Sequence, residues 1–394
     1  MPITYTNALH RLPPYVFAEL DRLKAAARAR GASLIDLGIG SPDLPVAPEI
    51  IDALAEAARD PATHGYPPFR GVPQYFDAIA GFMQSRFGVA IDPVTEVLAL
   101  SGAKEGLAQL IMALCGPDDV VLVPEIYYPV YARATWLSGA EVCWVPMRAS
   151  DKFLMDLDAI SADAAKRARV LLVNYPNNPT GARAEREFFE RAVRFAREHD
   201  VLLISDLAYS ELTFGGAPAP SALEIEGAKD VTIEFHSLSK TFSMAGFRIG
   251  FAVGNAAAID ALAAYRSNVG YGTPSSIQRA ASYALDHHAE LVPPKVAAYQ
   301  ARRDAAMGAF AAAGWTSEPP PASMYLWLQV PDGVDDWTWV RTLIDEDGVV
   351  VTPGVAFGEG GKGFFRISLV RDEATLMRAS ATIAARRTQM TRGA

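Results

Sequence analysis

The sequence predicts an α/β fold in which helices cover both faces of a mainly parallel sheet. Between about residue 94 and residue 254, short runs rich in Val, Leu and Ile alternate with helical segments. Such short apolar strands are typical of sheets buried on both faces, and their alternation with helices is typical of parallel connections. The predicted strands of this sheet cover residues 95–100, 119–124, 140–146, 168–174, 201–205, 231–236 and 248–254.

The segments around this region predict further helices and a second group of strands. Proline positions and apolar periodicity predict helices at 14–30, 48–59, 73–87, 103–114 and 184–199. After residue 285 the pattern predicts helices at 293–313, 335–345 and 372–387, and strands at 324–328, 349–352 and 364–369. This mixture of helices and strands is typical of a small α+β unit.

These patterns divide the chain into three parts. Residues 1–45 are expected to be an N-terminal segment that joins the small domain. Residues 46–285 are expected to form the large domain, and residues 286–394 the small α+β domain. A chain of 394 residues is long enough for two such domains, each with its own core.

Composition and charge exclude several classes of protein. The formal net charge is −9, and no run of Lys and Arg offers a surface for nucleic acid or for an anionic membrane. No apolar stretch approaches the ~18 residues that a membrane-spanning helix needs. Because the two cysteines form no CxxC pair and no secretory signal is apparent, we expect free thiols and a cytoplasmic location. The six histidines show no HExxH spacing, so no metal site is expected.

The main functional motif lies between the last two predicted strands of the sheet. Lys240 follows Ser237 and Ser239, and Arg248 lies eight residues further along the chain. A lysine amine forms Schiff bases with aldehydes, whereas hydroxyls and a guanidinium group bind phosphate. Pyridoxal phosphate presents both an aldehyde and a phosphate, so this motif predicts that Lys240 binds it covalently. The alternative is a solvated surface loop, but a position at the edge of an α/β sheet favours a ligand site.

Three further polar residues follow predicted strands and could surround the same cofactor. Asp206 ends an apolar strand, and a buried carboxylate needs a partner, which the protonated ring nitrogen of pyridoxal phosphate would provide. Tyr209 and Asn178 could form hydrogen bonds to the 3′-oxygen of the cofactor. The bond from Asn178 would lower the pKa of the Lys240 nitrogen that is bonded to the cofactor. Taken alone, Asp206 fits a helix N-cap, Tyr209 a core residue and 174–181 a rigid turn without a ligand.

Other candidate contacts lie at a strand–helix junction, in an aromatic segment and in a late strand. The small residues of 101–106 would let backbone N–H groups approach a phosphate at a helix N-terminus. Tyr128, in the segment 127–131, could stack on the pyridine ring. Arg366 interrupts an apolar strand, where it is either a snorkelling edge residue or a bidentate ligand for a substrate carboxylate.

Together these motifs resemble those of the class I/II aminotransferases, the fold-type I enzymes that use pyridoxal phosphate. The resemblance begins at 37–43, includes 178–181, 206–209 and the lysine segment, and ends at 365–368. The segments 11–15, 101–106 and 233–240 are also similar to those of LL-diaminopimelate aminotransferases and of related glutamate–pyruvate (alanine) aminotransferases. The resemblance implies a large domain around a mainly parallel seven-stranded sheet and a smaller α+β domain. It also implies that the large domain, 46–285, binds pyridoxal phosphate and that the N-terminal segment, 1–45, covers the active site.

The resemblance also implies a role for each candidate residue. Lys240 would hold the cofactor and move the substrate proton, with Asp206 and Tyr209 as the other catalytic residues. The cofactor contacts would be Ala103, Lys104, Tyr128, Asn178, Asp206, Tyr209, Ser237, Ser239, Lys240, Arg248 and, from the other subunit of a homodimer, Tyr66. The substrate contacts would be Tyr15, Gly40, Asn178 and Arg366.

The sequence therefore predicts an enzyme of amino-acid metabolism that moves an amino group between an L-amino acid and a 2-oxo acid with ping-pong kinetics. Its amino donor would be either LL-diaminopimelate or an amino acid such as alanine or glutamate. A carbon–sulfur β-lyase on the same fold is an alternative, because it would share Lys240 and Asp206. A non-catalytic regulatory module that binds a ligand is an alternative of another class, although an intact Lys240 argues against it.

Overall fold

The computed structural model describes residues 3–315 and 317–392, and the elements below belong to these residues. Residues 1, 2, 316, 393 and 394, which fall in the predicted N- and C-terminal parts, lie outside them. The strands are β1 (Ile35–Asp36), β2 (Val97–Leu100), β3 (Val120–Pro124), β4 (Glu141–Val145), β5 (Ala168–Asn174), β6 (Leu202–Asp206), β7 (Thr232–Ser237), β8 (Gly250–Gly254), β9 (Tyr325–Gln329), β10 (Val349–Val350), β11 (Thr352–Pro353) and β12 (Phe364–Ser368). The helices are α1 (Asn7–His10), α2 (Val16–Ala29), α3 (Pro48–Arg59), α4 (Pro73–Phe87), α5 (Ala103–Leu114), α6 (Val130–Ser138), α7 (Ala162–Arg167), α8 (Arg186–His199), α9 (Leu238–Thr241), α10 (Ala256–Val269), α11 (Ser275–Asp286), α12 (His288–Leu291), α13 (Pro293–Ala312), α14 (Asp336–Asp347) and α15 (Glu373–Arg392).

Strands β2 to β8 form the central sheet, in the order β2-β8-β7-β6-β5-β3-β4. Neighbours from β4 to β7 are parallel, whereas β8 is antiparallel to both β7 and β2. The mainly parallel sheet predicted from the sequence is therefore confirmed. Parallel strands bring their carboxyl ends to one edge, so Asn174 of β5 and Asp206 of β6, which are partners in register, end side by side there.

Helices cover both faces of this sheet, because successive residues of each strand point to opposite sides. Along β5, Leu171 and Val173 pack on one side in a core that includes α8, while Val170 and Leu172 pack on the other side with α5, α6 and α10. A third core cluster joins α3, α4 and α11 to the edge formed by β2 and β8. This double burial explains why the inner strands are apolar along their whole length.

A second unit is built from the late part of the chain and is joined by early residues. Strands β11, β12 and β9 form an antiparallel sheet, and α13, α14 and α15 share its core around Trp339 and Phe365. Strand β1 pairs in parallel with β10, and the Ser368 N–H donates a hydrogen bond to the Leu37 carbonyl at 2.8 Å. These bonds hold the segment that follows β1 against β12.

The sequence predicted the central strands with ends shifted by at most two residues. The prediction of one strand at 349–352 is wrong, because β10 pairs with β1 while β11 pairs with β12. The helices that were not predicted are the short α1, α7, α9 and α12 and the longer α6, α10 and α11. Helix α11 buries mainly small residues such as Ala280, Ala281 and Ala284, which give a weak apolar signal. None of the described helices is long and apolar enough to cross a membrane.

Candidate active site

A cavity of about 460 Å³ lies at the carboxyl ends of the parallel strands, between the central sheet and the second unit. It contains almost the whole set of residues predicted from the sequence. The predicted residues that line it are Tyr15, Gly40, Ala103, Lys104, Tyr128, Asn178, Asp206, Tyr209, Ser237, Ser239, Lys240, Arg248 and Arg366. Residues from widely separated segments therefore meet around one space large enough for a small ligand.

Lys240 extends into this cavity from α9, the short helix that follows directly after β7. Its Nζ donates a hydrogen bond to the Gly40 carbonyl at 2.6 Å. The same nitrogen lies 5.9 Å from the centre of the Tyr209 ring. The lysine amine is thus held between the central sheet and the segment after β1.

The charges around Lys240 act on its pKa in both directions. Burial lowers this pKa below that of a free lysine, and the positive charges of Arg366 and Arg248 lower it further. Tyr325 and Asp206 act in the opposite direction, and the net effect is a lowered pKa. Because only the neutral amine is a nucleophile, this environment favours attack on an aldehyde.

Asp206 ends β6 with its carboxylate buried in the cavity wall. The Tyr131 hydroxyl donates to its Oδ2 at 2.6 Å, and the Ala208 N–H donates to its Oδ1 at 3.2 Å. Burial raises the pKa of Asp206, whereas these two hydrogen bonds lower it. A cation placed against this carboxylate would complete its stabilisation as the ionised form.

Arg366 lies in β12 with only 3% of its surface exposed. Its Nη1 donates to the Asn178 side-chain oxygen at 2.9 Å, and its Nη2 donates to the Gly38 carbonyl at 2.7 Å. The Asn178 N–H donates in turn to the Asn174 side-chain oxygen at 3.0 Å. The buried Nε of Arg366 has no partner among the described residues, so the guanidinium retains a donor for a ligand such as a carboxylate.

Two tyrosines connect the surroundings of Lys240 with those of Arg366. The hydroxyl oxygens of Tyr209 and Tyr325 are 2.9 Å apart, and the guanidinium carbon of Arg366 lies 4.2 Å from the centre of the Tyr325 ring. A Cβ atom at position 40 would overlap the Tyr325 hydroxyl, so only Gly40 allows the segment after β1 to pack this closely.

A donor-rich corner of the cavity lies where β2 leads into α5. Gly102 precedes α5 with φ +93°, and a Cβ atom there would overlap the Arg248 guanidinium. The Nη2 of Arg248 donates to the Ser101 carbonyl at 3.2 Å, and Ser237 and Ser239 also line the cavity. The first N–H groups of α5, one guanidinium and two hydroxyls form a donor set suited to a phosphate dianion.

A further part of the cavity wall comes from α2 and β1. Lys24 is only 6% exposed, and its Nζ lies 2.6 Å from an Asp21 oxygen and 3.1 Å from an Asp36 oxygen. All three side chains line the same cavity as Lys240. We refer to Asp21, Lys24 and Asp36 as the charged wall, which combines one positive and two negative groups.

The aromatic residues predicted for the site lie in two different places. Tyr128 packs edge-on against Tyr131, with ring centres 5.9 Å apart, beside the cavity. Tyr66 is not among the residues that line the cavity; its side chain is 80% exposed and stacks on Tyr271 at 4.4 Å. Tyr271 also stacks on Phe69 at 5.7 Å, which gives an exposed aromatic cluster.

Sequence reasoning missed Tyr131, Asn174 and Tyr325 as members of the site. Tyr131 lies in the unpredicted helix α6. Tyr325 lies in an apolar strand, where nothing in the sequence indicates that its hydroxyl forms a hydrogen bond in the site. The sequence marks Asn174 only as the start of a turn. One signal could have found it, because Asn174 and Asp206 both end strands that are adjacent in a parallel sheet.

Comparison with known sequences gives the family to which this site belongs. The family model for aminotransferase class I and II matches residues 32–383. The LL-diaminopimelate aminotransferase of Syntrophobacter fumaroxidans is 44% identical over 373 residues, which cover 95% of this chain and 96% of that protein. The LL-diaminopimelate aminotransferase of Desulforudis audaxviator is 45% identical over 369 residues, which cover 94% of each chain.

Solved structures agree with this result. The substrate-bound structure of BacF from Bacillus subtilis has a TM-score of 0.94 and 37% identity, with 98% of both chains covered. A probable N-succinyldiaminopimelate aminotransferase from Thermus thermophilus has a TM-score of 0.89 and 40% identity, with 94% of this chain and 99% of that chain covered. The chain therefore belongs to the class I and II aminotransferases and has their fold-type I architecture. It is a pyridoxal-phosphate-dependent aminotransferase that acts on an amino acid and a 2-oxo acid.

The residues of the cavity fit this cofactor. Lys240 offers a buried amine to the aldehyde, and Asp206 offers a buried carboxylate to the ring nitrogen. The absence of a side chain at Gly102 lets the Arg248 guanidinium lie against the start of α5, where the helix N–H groups could bind a phosphate. The Nε of Arg366 leaves one further buried donor for a second ligand.

Proposed function

We propose that this aminotransferase takes LL-diaminopimelate as its amino donor and a 2-oxo acid as its acceptor. The observation that supports this proposal is the charged wall of Asp21, Lys24 and Asp36, which lines the same cavity as Lys240. LL-diaminopimelate carries an α-amino acid group at each end, so a second ammonium and a second carboxylate need partners when the first end reacts. Relatives that are 44% and 45% identical carry the name LL-diaminopimelate aminotransferase.

The charged wall has the chemistry that the second end of this substrate requires. Burial lowers the pKa of Lys24, but Asp21 and Asp36 outweigh burial and raise this pKa above that of a free lysine. Lys24 is therefore a cation at neutral pH and would bind the distal carboxylate, while the two aspartates would bind the distal ammonium. A donor without a charged distal group, such as alanine, would make none of these contacts.

Pyridoxal phosphate, when bound, supplies an aldehyde that takes up the amino group and a ring that withdraws electrons from the substrate α-carbon. Lys240 is the residue whose Nζ would bind the aldehyde carbon between turnovers. Once displaced by the substrate, the same nitrogen would remove the α-proton as a general base and return it as a general acid. Its lowered pKa favours the neutral amine that this first proton transfer needs.

Asp206 would keep the ring nitrogen of the cofactor protonated. The hydrogen bond from Tyr131 fixes the orientation of the Asp206 carboxylate and favours its ionised form. Asn178 and Tyr209 would donate to the 3′-oxygen of the cofactor. These contacts would hold the ring while Lys240 moves the proton.

The substrate α-carboxylate would bind to Arg366. The guanidinium is already oriented by its hydrogen bonds to Asn178 and Gly38, so its side chain loses little conformational entropy when the substrate binds. Asn178 and the backbone of Gly40 would complete this pocket, and Tyr15 would cover it from the N-terminal segment.

The remaining cofactor contacts would hold the phosphate and one face of the ring. Ser237, Ser239, Arg248 and the N–H groups of Ala103 and Lys104 would bind the phosphate at the donor-rich corner. Tyr128 would stack on the pyridine ring, since its ring also borders the cavity.

We also propose that the enzyme is a homodimer and that Tyr66 completes the site of the partner subunit. Support comes from the exposed aromatic cluster of Tyr66, Phe69 and Tyr271, since exposed aromatic groups of this size favour an interface.

We propose in addition that the chain divides into a large domain at 46–285 and a small domain at 286–394, which residues 1–45 join. It is supported by the pairing of β1 with β10.

A donor screen on the purified enzyme tests the proposed substrate. Single amino donors are added to the loaded enzyme without an acceptor, and conversion of the cofactor is followed by absorbance. We expect LL-diaminopimelate to convert it with a kcat/KM at least about tenfold above those of alanine and of N-succinyl-LL-diaminopimelate, because truncating or blocking a charged contact costs a factor of this order or more. Equal or better conversion by alanine would contradict the proposed donor, and release of pyruvate, ammonia and homocysteine from cystathionine would favour a β-lyase.

The variant Lys24→Met tests the charged wall directly. It should raise KM for LL-diaminopimelate at least about tenfold while changing KM for alanine, which has no charged distal group, less than about twofold. Lys295→Met is a matched control, because Lys295 is also buried and donates to the Pro45 carbonyl at 2.8 Å but does not line the cavity. Equal losses with both donors in Lys24→Met would assign Lys24 to the fold alone.

A further inference from the structure

Tyr325 lines the cavity, but its hydroxyl has no role among the contacts proposed above for substrate and cofactor. We propose that Tyr325 is a positioning residue, which donates a hydrogen bond to the Tyr209 hydroxyl and so directs the Tyr209 proton into the cavity. This inference rests on the proposed role of Tyr209 as a donor to the cofactor. It assigns Tyr325 no direct contact with the reacting atoms.

The geometry of the two tyrosines fixes their hydroxyls in contact. The oxygens are 2.9 Å apart, the rings meet edge to face with centres 5.7 Å apart, and the residues are 5% and 1% exposed. Tyr325 is held by its strand, since β9 pairs with β12 and places Tyr325 opposite Ser368. The Tyr325 hydroxyl is also packed against Gly40, where a Cβ would overlap it. Neither ring can turn away without disturbing the surrounding core.

Each phenol has one proton, and this limits the ways in which the pair can bond. If Tyr209 gives its proton to an oxygen in the cavity, its own oxygen can accept a proton from Tyr325. In the absence of a ligand the reverse arrangement, with Tyr209 donating to Tyr325, is also open. The Tyr209–Tyr325 pair thus has two proton arrangements, and a hydrogen-bond acceptor in the cavity selects between them.

The charges around the pair favour Tyr325 as the donor, because the more acidic of two neutral phenols is the better hydrogen-bond donor. Burial raises the pKa of Tyr325, but the positive charges of Lys240 and Arg366 and the hydrogen bond with Tyr209 together bring it below that of a free tyrosine. Burial and the neighbouring Tyr325 raise the pKa of Tyr209. Arg366 lies over the Tyr325 ring, and Lys240 is also influenced by Arg248 and Asp206.

A pH titration of the loaded enzyme tests the proposal without any substrate. The visible absorption band of the bound cofactor changes when the nitrogen of Lys240 is protonated, so its midpoint reports the pKa of that nitrogen. A donor at the 3′-oxygen lowers this pKa, and loss of its orientation raises it. We expect Tyr325→Phe to raise the midpoint by about half a unit to one unit, the size of one net hydrogen bond.

A double-mutant cycle shows whether Tyr325 acts through Tyr209. Tyr209→Phe should raise the midpoint at least as much as Tyr325→Phe. In the double variant, Tyr325→Phe should add no further shift, because the hydroxyl that it orients is gone. Additive shifts would overturn the proposal and assign Tyr325 a direct electrostatic effect on Lys240.

Tyr299→Phe is the matched control for removing a buried phenol oxygen. Tyr299 is 0% exposed, belongs to the same core cluster as Tyr325, and its hydroxyl has no partner among the residues that the structure describes. Its replacement should leave the midpoint unchanged. No shift in Tyr325→Phe, with a shift in Tyr209→Phe, would overturn this inference alone. No shift in Tyr209→Phe would overturn the role of Tyr209 on which it rests.

Discussion

The guanidinium of Arg366 donates a hydrogen bond of 2.9 Å to the side-chain oxygen of Asn178, a residue 188 positions earlier in the chain. Arg366 belongs to the small sheet and Asn178 to the turn after β5, so this one bond joins the two units across the cavity. Both groups are buried, and the bond is charge-assisted. The groups proposed to bind the substrate carboxylate and the cofactor oxygen are therefore coupled to each other.

Replacement of Arg366 by lysine should weaken substrate binding strongly. Lysine keeps the charge but cannot bond to Asn178, Gly38 and a carboxylate with one planar group. We expect KM for the amino donor to rise by about one to two orders of magnitude, as for the loss of a buried, hydrogen-bonded charge pair. Steady-state kinetics with the donor varied at saturating acceptor measure this change.

Arg302→Lys serves as the control for Arg366→Lys. Arg302 is also buried and forms two hydrogen bonds with the Asp43 carboxylate, at 2.7 and 2.9 Å, but it does not line the cavity. Its replacement should lower thermal stability and leave KM nearly unchanged. A similar rise in KM in both variants would show that packing, and not carboxylate binding, explains the Arg366 result.

Replacement of Lys240 by alanine should abolish turnover without abolishing cofactor binding. The donor-rich corner around Gly102 and Arg248 does not involve Lys240, so the phosphate keeps its contacts. Borohydride reduction followed by peptide mass spectrometry should find the cofactor attached to Lys240 in the wild-type enzyme and to no lysine in the variant. Attachment to Lys104, which also lines the cavity, would contradict the assignment.

The hydrogen bond from Tyr131 to Asp206 should be visible in the pH dependence of the reaction. This bond lowers the pKa of Asp206, so Tyr131→Phe should raise it. Because Asp206 is proposed to act in its ionised form, activity should then be lost at a higher pH as the solution is acidified. The acid limb of the kcat/KM profile measures the shift, which we expect to be about one unit.

Asp206→Asn tests the charge itself, because it keeps the shape of the side chain and removes its ionisation. We expect kcat to fall by more than about a hundredfold at every pH, since the loss of a buried carboxylate partner is worth several kcal/mol.

The Tyr131→Phe profile has its own contradicting outcome. If its acid limb keeps the wild-type position, that limb belongs to a group other than Asp206.

Mixing two defective variants should test whether Tyr66 acts across a dimer interface. Tyr66→Phe should weaken cofactor binding by about tenfold, the effect of losing one charge-assisted hydrogen bond. In a mixed dimer with Lys240→Ala, one site combines an intact Lys240 with an intact Tyr66 from the partner. Adding the inactive Lys240→Ala protein to Tyr66→Phe at limiting cofactor should therefore raise activity. No increase after subunit exchange, verified by native mass spectrometry, would contradict a shared site.

Local patterns made the central sheet and the lysine motif predictable from the sequence. Each buried strand carries its own apolar signal, and Lys240 lies within a few residues of Ser237, Ser239 and Arg248. The structure brings all four to one cavity. The family motif also identified Arg366, which lies far from them in the sequence.

The parts that could not be predicted depend on which elements pack together. The Tyr131 hydroxyl belongs to the site because α6 places it against Asp206. The Tyr325 hydroxyl belongs to it because β9 places it against the Tyr209 hydroxyl. The split of 349–352 into β10 and β11 has the same origin, since each half pairs with a different partner strand. No local pattern records such pairings.

The pairing of β1 with β10 has a consequence for the synthesis of the chain on the ribosome. Residues 35–36 emerge early, but their partner strand at 349–350 and the bond from Arg366 to Gly38 emerge only after most of the polypeptide has been made. The large sheet can fold while the chain is still growing, since its strands all precede residue 255. The early segment must wait, and a ribosome that stops before residue 366 would release a chain without a complete catalytic centre.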